Sequence, residues 1–432
     1  MDKKNATATT TKLHQQAQSS GRRLVVVVLT LVLMGALLSG TGFWLMSRAT
    51  RISSTIVTYP VNSQLKSFDY MMGSYQARVR RGELPIPLFG SSELAPNDAG
   101  WSHPALLYTN GRYAFDAMVM GRAGTTDLWS AIELGAMAPQ LKDKRVVYFV
   151  SMQWFMTYRK PKKEFPAVFS EGAYRACMKN ERIPQELKDR ITSRMAEYGV
   201  DRRSGSSPVR KLVQAVDAQA ANLSNNLRQA AGIDPNILPG AQTTTLRSPA
   251  EVRSGATEAT QPSLTDGSPD WKQIFAWATQ DATEKSAGNE IGFNSSWYKK
   301  DFKRWQQGAQ AKWKKPKDGS YFSMQEYEDF KTALAVAKAA GLKPLVVMQP
   351  VKGKAYDETI YKQDIRQNYY QMIRDACSEA KVGLADFSGY EYNPLFLRDY
   401  SHPSALGGAY YARALYSWFE TGTAHTDPVS EE

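Results

Sequence analysis

One uncharged apolar segment, Leu24 to Met46, divides the chain into two very unequal parts. As a helix it would be long enough to cross the roughly 30 Å hydrocarbon core of a bilayer. Most charged side chains in the preceding residues 1–23 are basic, which predicts a cytoplasmic N-terminus. We therefore expect a single-pass protein of the cell membrane, with residues 47 onward outside the cell. A cleaved signal peptide is the alternative, and it is disfavoured because its apolar run is usually shorter.

Residue composition narrows the classes of protein that remain. With 42% hydrophobic and 22% charged residues, the chain has the composition of a globular protein rather than a disordered or polytopic membrane protein. The net charge is +12, and most of it lies after Arg23. Such a mild positive field favours membrane lipids or phosphate-containing polymers as partners, unless it is simply a solvated surface. No basic-aromatic motif predicts nucleic-acid binding.

Cysteine and histidine are too sparse to predict a metal-stabilised fold. Cys177 and Cys377 lie far apart and belong to no CxxC motif. They either pair or remain as buried thiols, and the sequence leaves both alternatives open. No cluster of histidine and cysteine has the spacing of a zinc site, so we expect neither a metal ion nor another cofactor.

Apolar runs typical of buried strands alternate with helical patterns along most of the chain. The runs that predict strands are residues 84–89, 146–150, 344–348 and 382–387. The periodic segments that predict helices are residues 126–137, 327–340, 363–380 and 406–419. Such alternation is typical of parallel sheets with helices on both faces. We therefore predict a three-layer α/β domain with a mostly parallel sheet over residues 47–420, followed by a C-terminal tail at 421–432.

The middle of the chain, about residues 165–330, interrupts this alternation. It has no strong strand pattern, and apolar residues recur at helical spacing over 212–227, which predicts a helical insertion. Residues 235–269 are rich in Pro, Gly, Ser, Thr and Ala, and too poor in large apolar side chains to offset the entropy of ordering, so we expect disorder there. The aromatic residues between 271 and 305 either cover the sheet or line a cleft, and core packing is the favoured interpretation.

Only four histidines are available as a base that works near neutral pH. His14 lies in the N-terminal tail and His425 in the polar C-terminal tail, which leaves His103 and His402. His402 follows Asp399 by three residues, just before the last predicted helix. A carboxylate at that spacing can hydrogen-bond the ring and orient it. An isolated Asp-x-x-His pattern is nevertheless a weak signal.

A second motif, Gly90-Ser91-Ser92-Glu93, follows the first predicted strand. Active sites of open α/β sheets lie at the carboxyl ends of their strands, and a glycine there permits a tight turn that exposes a serine. A serine nucleophile needs a base within hydrogen-bond reach and donors for the developing oxyanion. Alone, these residues could be a helix N-cap, but their combination with Asp399 and His402 favours catalysis.

These two motifs resemble those of the SGNH/GDSL hydrolase superfamily. Within it, the segments FGSSEL (89–94), SMQWF (151–155) and EYNPLFLRDYSHPSALGG (391–408) are similar to the DltD family of membrane-anchored proteins. The resemblance implies an SGNH-like fold and a role in the D-alanylation of teichoic acids in Gram-positive bacteria.

The resemblance also assigns roles to individual residues. Ser92 would be the nucleophile, with Ser91 as the alternative. His402 would be the general base and Asp399 the acid that orients it. The asparagine that the superfamily uses as an oxyanion donor is missing, and Gln153 stands after the corresponding strand. The candidate oxyanion donors are Ser92, Gly121, Gly124 and Gln153, and the candidate pocket residues are Trp154 and Phe155.

The function implied by the resemblance is transfer of D-alanyl groups to lipoteichoic acid through an acyl-serine intermediate. The implied partners are the other components of the D-alanylation machinery, namely a membrane-bound acyltransferase and small membrane or carrier proteins, together with the polymer and membrane lipids. Two alternatives stay open at this point. The protein could be a non-catalytic scaffold of that machinery, or a membrane-anchored esterase that removes acyl groups.

Overall fold

The computed structural model describes residues 59–96, 99–109, 111–157, 161–200, 267–314 and 316–428, a few residues between 29 and 37, and the pairs 56–57 and 245–246. The predicted anchor at 24–46 lies mostly outside these residues, as do the helical pattern at 212–227 and most of the predicted disordered segment 235–269. Among the residues that are described, no helix is both long and apolar enough to cross a membrane. The anchor therefore stays a prediction.

Five parallel strands form the central sheet. They are β1 (Pro85–Gly90), β2 (Asp116–Gly121), β3 (Arg145–Val150), β4 (Lys343–Met348) and β5 (Gly383–Asp386). Their order in the sheet is β2-β1-β3-β4-β5, and every neighbouring pair is parallel. The direction in which strands are added reverses between β1 and β3, and sheets of this kind bind their ligands beyond the carboxyl ends of strands at that point. The prediction of a parallel α/β sheet is confirmed.

Both faces of the sheet are buried, because alternate residues of each strand pack into different cores. On β3, Tyr148 lies in one core and Phe149 in the other. The first core is covered by the helices Phe68–Arg80, Asp127–Met137, Glu171–Lys179, Gln185–Glu197, Met324–Ala339 and Gln363–Ala380. The second core is covered by the helices Pro104–Leu107, Trp271–Ser286 and Ala405–Thr421. The result is the three-layer architecture that the sequence predicts.

Shorter helices complete the described part of the chain. They are Asn62–Leu65, Met152–Phe155, Pro161–Val168, Ser295–Trp297, Lys303–Lys312 and Gly353–Tyr356, with a π-helix at Tyr298–Phe302. The described part of the middle region, 165–330, is thus mostly helical, with turns and loops between the helices. Its two-residue strand Thr245–Leu246 pairs antiparallel with Ile56–Val57, and Phe322 forms a single bridge with Met156. Phe275 packs edge-on against Tyr410 with ring centres 4.7 Å apart, so the helix Trp271–Ser286 covers the sheet by way of the C-terminal helix.

Candidate active site

The serine motif forms a tight turn directly after β1. Ser92 begins a single 3₁₀ turn, Ser92–Leu94, and it is partly exposed. A side chain at Gly90 would place its Cβ 2.6 Å from Glu93 Oε1 and 2.9 Å from the Leu94 side chain, so the turn closes only over glycine. Gly121 lies beside Gly90 in the parallel register of β2 and β1, and a Cβ there would lie 1.9 Å from the Gly90 carbonyl oxygen. Two glycines therefore set the position of the Ser92 hydroxyl.

Ser92, His402 and Asp399 form a continuous chain of hydrogen bonds. The Ser92 hydroxyl lies 2.8 Å from His402 Nε2. His402 Nδ1 lies 2.9 Å from Asp399 Oδ2 and 3.0 Å from Oδ1, so Nδ1 carries the proton and Nε2 is left to accept from the serine. This is the geometry in which an imidazole can act as a base toward a serine hydroxyl. The structure thus brings together three residues that the sequence motifs place at opposite ends of the domain.

Asp399 is held ionised by its surroundings. Burial alone would raise its pKa, but attraction to His402 and the hydrogen bond from its ring lower the pKa well below the usual range, helped by Arg398 and by the Ser401 N–H. The Ser401 and His402 backbone N–H groups each donate to Asp399 Oδ1 over 2.9 Å. These bonds fix the carboxylate within the same turn of chain that carries the histidine, so the ring orientation follows from local backbone structure.

Ser91, the alternative nucleophile, faces away from the histidine. Its side chain is buried and its hydroxyl donates to the Arg122 carbonyl over 3.2 Å. Its N–H donates to the carboxylate of Glu93, which is also buried. Ser91 therefore joins the turn after β2 to the turn after β1. Of the two serines, Ser92 is the one in contact with a base.

His103, the other candidate base, has a structural position. Its Nδ1 accepts from Ala105 N over 3.1 Å and caps the helix Pro104–Leu107, and its Nε2 donates to the Glu93 carbonyl over 3.0 Å. Complete burial lowers its pKa from 6.5 to about 4, so the ring stays neutral at physiological pH. The spacing to Asp399, which singled out His402 in the sequence, agrees with these contacts.

The four candidate oxyanion donors lie in the Ser92 turn, at and just after the end of β2, and beside the loop that carries His402. The Ser92 N–H has no acceptor among the described residues, as is typical of the first N–H of a helical turn. Gly121 is the last residue of β2 and Gly124 lies in the turn that follows, with φ values of +148° and +98°. Gln153 lies beside the loop that carries Asp399 and His402, which we call the histidine loop. There its Oε1 accepts from Ser401 Oγ over 3.1 Å and its Nε2 donates to Tyr356 OH over 2.9 Å. One Nε2 hydrogen of Gln153 remains for a ligand, and donation to an oxyanion stays a prediction for all four residues.

The two predicted pocket residues are packed inside the protein. Phe155 is 0% exposed and contacts the rings of Phe330 and Tyr369, so it belongs to the first core and does not line an open cleft. Trp154 is 4% exposed and packs against Tyr148. In the short helix Met152–Phe155 the buried side chains point into the core, and the half-buried Gln153 is the one that reaches the site.

Aromatic residues that the site prediction did not include form one wall of the site. The Tyr400 ring lies 5.8 Å from the His402 ring and is stacked on Trp305 at 5.2 Å and 9°. Trp297 packs against the same tyrosine at 5.6 Å. Both tryptophans come from the middle region of the sequence. Tyr400 lies inside the Asp-x-x-His motif, but its contact with residues about a hundred positions away leaves no periodic signal in the sequence.

A buried lysine connects the segment before Trp297 with the segment before Asp399 by hydrogen bonds. Lys352, on the loop after β4, donates through Nζ to the carbonyls of Gly292 (3.0 Å) and Pro394 (2.8 Å). Gly292 has φ of +78°, and a Cβ there would lie 2.1 Å from the Pro394 carbonyl oxygen. Burial lowers the pKa of Lys352 to about 7, opposed by attraction to Asp399. The segment before Trp297 is therefore held tightly to the loop that carries the site.

Among the residues that the structure describes, no three His, Cys, Asp or Glu side chains are arranged to hold a metal ion. The thiols of Cys177 and Cys377 are buried and unpaired, which decides between the two alternatives that the sequence left open. Burial raises the pKa of each thiol to about 12. Neither cysteine is part of the site.

Comparison with known proteins places this geometry in a family. The family model described as DltD protein matches residues 60–420. Protein DltD of Bacillus subtilis is 29% identical over 339 residues, which cover 78% of this chain and 83% of that protein. Protein DltD of Staphylococcus aureus is 21% identical over 327 residues, which cover 75% of this chain and 78% of that protein. Since the family model spans most of the chain, including the serine turn and the histidine loop, the protein belongs to the DltD family.

Proposed function

We propose that this protein transfers D-alanyl groups to lipoteichoic acid through a covalent ester on Ser92. The observation that carries the proposal is the 2.8 Å contact between Ser92 and His402 Nε2, with Asp399 bonded to the other ring nitrogen. The DltD family takes part in the D-alanylation of teichoic acids, which supplies the acyl group and the acceptor. The site contributes a nucleophile, a base and an ionised orienting acid.

In the first half of the reaction, Ser92 Oγ attacks the carbonyl carbon of an activated D-alanyl donor while its proton passes to His402 Nε2. The bond from that carbon to the leaving group then breaks, and His402 returns the proton to the leaving group. Asp399 stabilises the imidazolium between these two transfers. The product is D-alanyl-serine at position 92, with no net change in protons.

In the second half, a hydroxyl of the polymer takes the place of the leaving group. Its proton passes to His402 as its oxygen attacks the D-alanyl carbonyl, and the same proton then returns to Ser92 Oγ as the ester to serine breaks. The Ser92 N–H and Gln153 Nε2 are our candidates for the donors that stabilise the oxyanion in both halves. The wall formed by Tyr400 and Trp305 would exclude water, which competes with the polymer hydroxyl for the acyl group.

The setting of this reaction is also part of the proposal. Residues 24–46 would anchor the protein in the cell membrane with residues 1–23 in the cytoplasm, so that the α/β domain meets the polymer outside the cell. The donor would be presented by other components of the D-alanylation machinery, a membrane-bound acyltransferase and small membrane or carrier proteins. An SGNH-like assignment of the domain agrees with the serine turn after β1 and the histidine before the last helix.

Replacement of the two neighbouring serines tests the proposal. Ser92→Ala should abolish D-alanyl ester on lipoteichoic acid in cells that depend on this protein, and should also abolish labelling of the purified full-length protein by a fluorophosphonate. Ser91→Ala is the matched control, because Ser91 Oγ contacts a backbone carbonyl rather than the base, and it should keep both signals. Mass spectrometry of the peptide spanning residues 85–95 should find the D-alanyl group on Ser92.

The same experiments separate the alternatives. Wild-type ester levels in Ser92→Ala cells, with the variant expressed normally, would show that the protein acts as a scaffold without acyl-enzyme chemistry. Labelled Ser92 together with faster release of D-alanine from the polymer than addition to it would show an esterase. Both outcomes would refute transfer.

A further inference from the structure

A row of aromatic rings extends from the histidine to the surface. Tyr400 neighbours His402, and both Trp305 and Trp297 contact the Tyr400 ring. The Phe302 ring comes next, 6.2 Å from Trp305 and stacked on it at 26°. Tyr298 is stacked on Phe302 at 4.9 Å and 17°. All five rings are partly exposed. The row therefore presents ring faces and edges to solvent from the site outward.

The segment that supplies four of these rings is strongly basic. Residues 295–314, which we call the basic segment, contain six lysines and arginines and a single acid, Asp301, which is paired with Arg304. Lys299, Lys300 and Lys303 are exposed and have no ion pair among the described residues. Three uncompensated positive charges thus lie on the same short stretch of chain as the rings that reach the site.

The basic segment is attached to the rest of the domain near both of its ends. It begins directly after Asn294, whose N–H donates to the Arg398 carbonyl over 2.6 Å. Two residues earlier, the Gly292 carbonyl accepts from Lys352 Nζ. Near its end, the buried Trp313 is stacked on Tyr356 at 5.7 Å and 25°. The π-helix Tyr298–Phe302 lies between these attachments, and such irregular turns occur often at functional sites. A ligand that binds here would therefore keep a fixed position relative to His402.

We propose that the basic segment is the docking surface for an anionic phosphodiester polymer, whose phosphates pair with Lys299, Lys300 and Lys303 while its polyol units lie over the ring faces. The inference rests on the proposed acyl transfer and specifies where the acceptor binds. Regularly spaced negative charges complement the lysines. A membrane surface fits less well, because an aromatic anchor inserts exposed rings into lipid, and no ring of the basic segment is among the highly exposed apolar side chains of the described residues.

A pair of charge-matched variants tests the docking surface in the full-length protein. The first replaces Lys299, Lys300 and Lys303 by glutamine. The control replaces Arg175, Lys179 and Arg182 by glutamine, and all three are exposed. Lys179 and Arg182 line a recess together with Lys144, which precedes β3. This recess lies at the amino ends of the strands, the edge of the sheet away from Ser92. The probes are a glycerol-phosphate oligomer of defined length and vesicles that contain phosphatidylglycerol. Fluorophosphonate labelling of Ser92 reports the chemical site independently.

We expect the first variant to weaken oligomer binding about tenfold at low salt, the combined effect of three exposed ion pairs, and to reduce the salt dependence of binding. The control variant should bind as wild type does, and both should label at Ser92 at the wild-type rate. Equal weakening by both variants, or weakened binding to vesicles with unchanged binding to the oligomer, would overturn the inference. Wild-type protein that binds the oligomer through these lysines but fails to label at Ser92 would refute acyl transfer and leave the docking surface supported.

Discussion

His103 and His402 have the same side chain in two different electrostatic settings. His402 is partly exposed and bonded to a carboxylate that is held ionised, a setting in which the ring can accept a proton during a reaction. His103 is completely buried, is bonded only to backbone groups, and has a pKa lowered to about 4 by loss of water. Its contribution is to hold the Glu93 carbonyl and the start of a helix close to the serine turn.

Because the His103 pKa is lower in the folded than in the unfolded protein, the contribution of His103 to folding stability should fall as the pH drops from about 6.5 to about 4. Above this window neither state binds the proton, and within it only the unfolded chain does. The loss should reach about 3 kcal/mol at its lower end. His103→Asn keeps an acceptor for the helix cap, and its free energy of unfolding in urea, measured between pH 7 and 4, should lack this decline. Parallel curves for the two proteins would contradict the assignment.

Asp399 affects stability in the same direction as His103, over a lower pH range. Its pKa is lowered in the folded protein, so its contribution to stability is present above the pKa of an unfolded aspartate, about 4, and is lost as the pH falls below that value. The contributions of Asp399 and His103 therefore fall in adjacent pH windows. Asp329, whose pKa burial raises to about 7, titrates in the same range as His103 with the opposite effect on stability, so the comparison with His103→Asn is what isolates the histidine.

At the scale of elements, the edge strand β2 approaches β1 more closely at its end than a side chain would permit. Gly121→Ala should lower the free energy of unfolding by about 3 kcal/mol, because the new Cβ meets the Gly90 carbonyl at a φ that side chains disfavour. It should also slow fluorophosphonate labelling of Ser92, since Gly90 begins the serine turn. Denaturant unfolding and labelling kinetics measure the two effects.

Gly73→Ala is the matched control for this substitution. Gly73 lies in the middle of the helix Phe68–Arg80, is exposed, and has open space where a Cβ would lie. Alanine there should raise the free energy of unfolding by about 0.5–1 kcal/mol through helix propensity and leave labelling unchanged. If both variants are destabilised to a similar extent, the close approach of the strands is not the cause.

The strands differ in how clearly the sequence predicts them. β1, β3 and β4 are apolar throughout most of their length, so the predicted runs match them closely. β2 is not among the four runs predicted as strands, and it begins with Asp116, a buried carboxylate that pairs with Arg78. That ion pair joins positions far apart in sequence, and no local pattern reveals it.

The same distinction holds within the site. Ser92, Asp399 and His402 were predicted because each lies in a short motif whose spacing carries chemical meaning. Phe155, a candidate pocket residue, lies in the first core, because the direction of a side chain in a single helical turn depends on the core beneath it. Lys352 and Trp305 were not predicted as site residues, since their contacts are with carbonyls and rings from distant segments.

At the scale of the whole molecule, the two cysteines report on the opening of the larger core. Cys177 and Cys377 both lie in it, unpaired, with pKa values raised to about 12 by burial. The folded protein should therefore react with no equivalents of a thiol-specific disulfide reagent at pH 8, and the urea-unfolded protein with two. A disulfide would leave the unfolded protein unreactive until it is reduced, and an exposed thiol would react in the folded protein.

The contact between Ser92 and His402 joins residues 310 positions apart. In the proposed reaction, the nucleophile Ser92 leaves the ribosome first and has no base until His402 has been made and the last helix has packed. A chain cut short before His402 would therefore carry Ser92 without the proposed base and would capture no acyl groups. Under the proposed mechanism, reactivity would arise only once the last helix of the domain is in place.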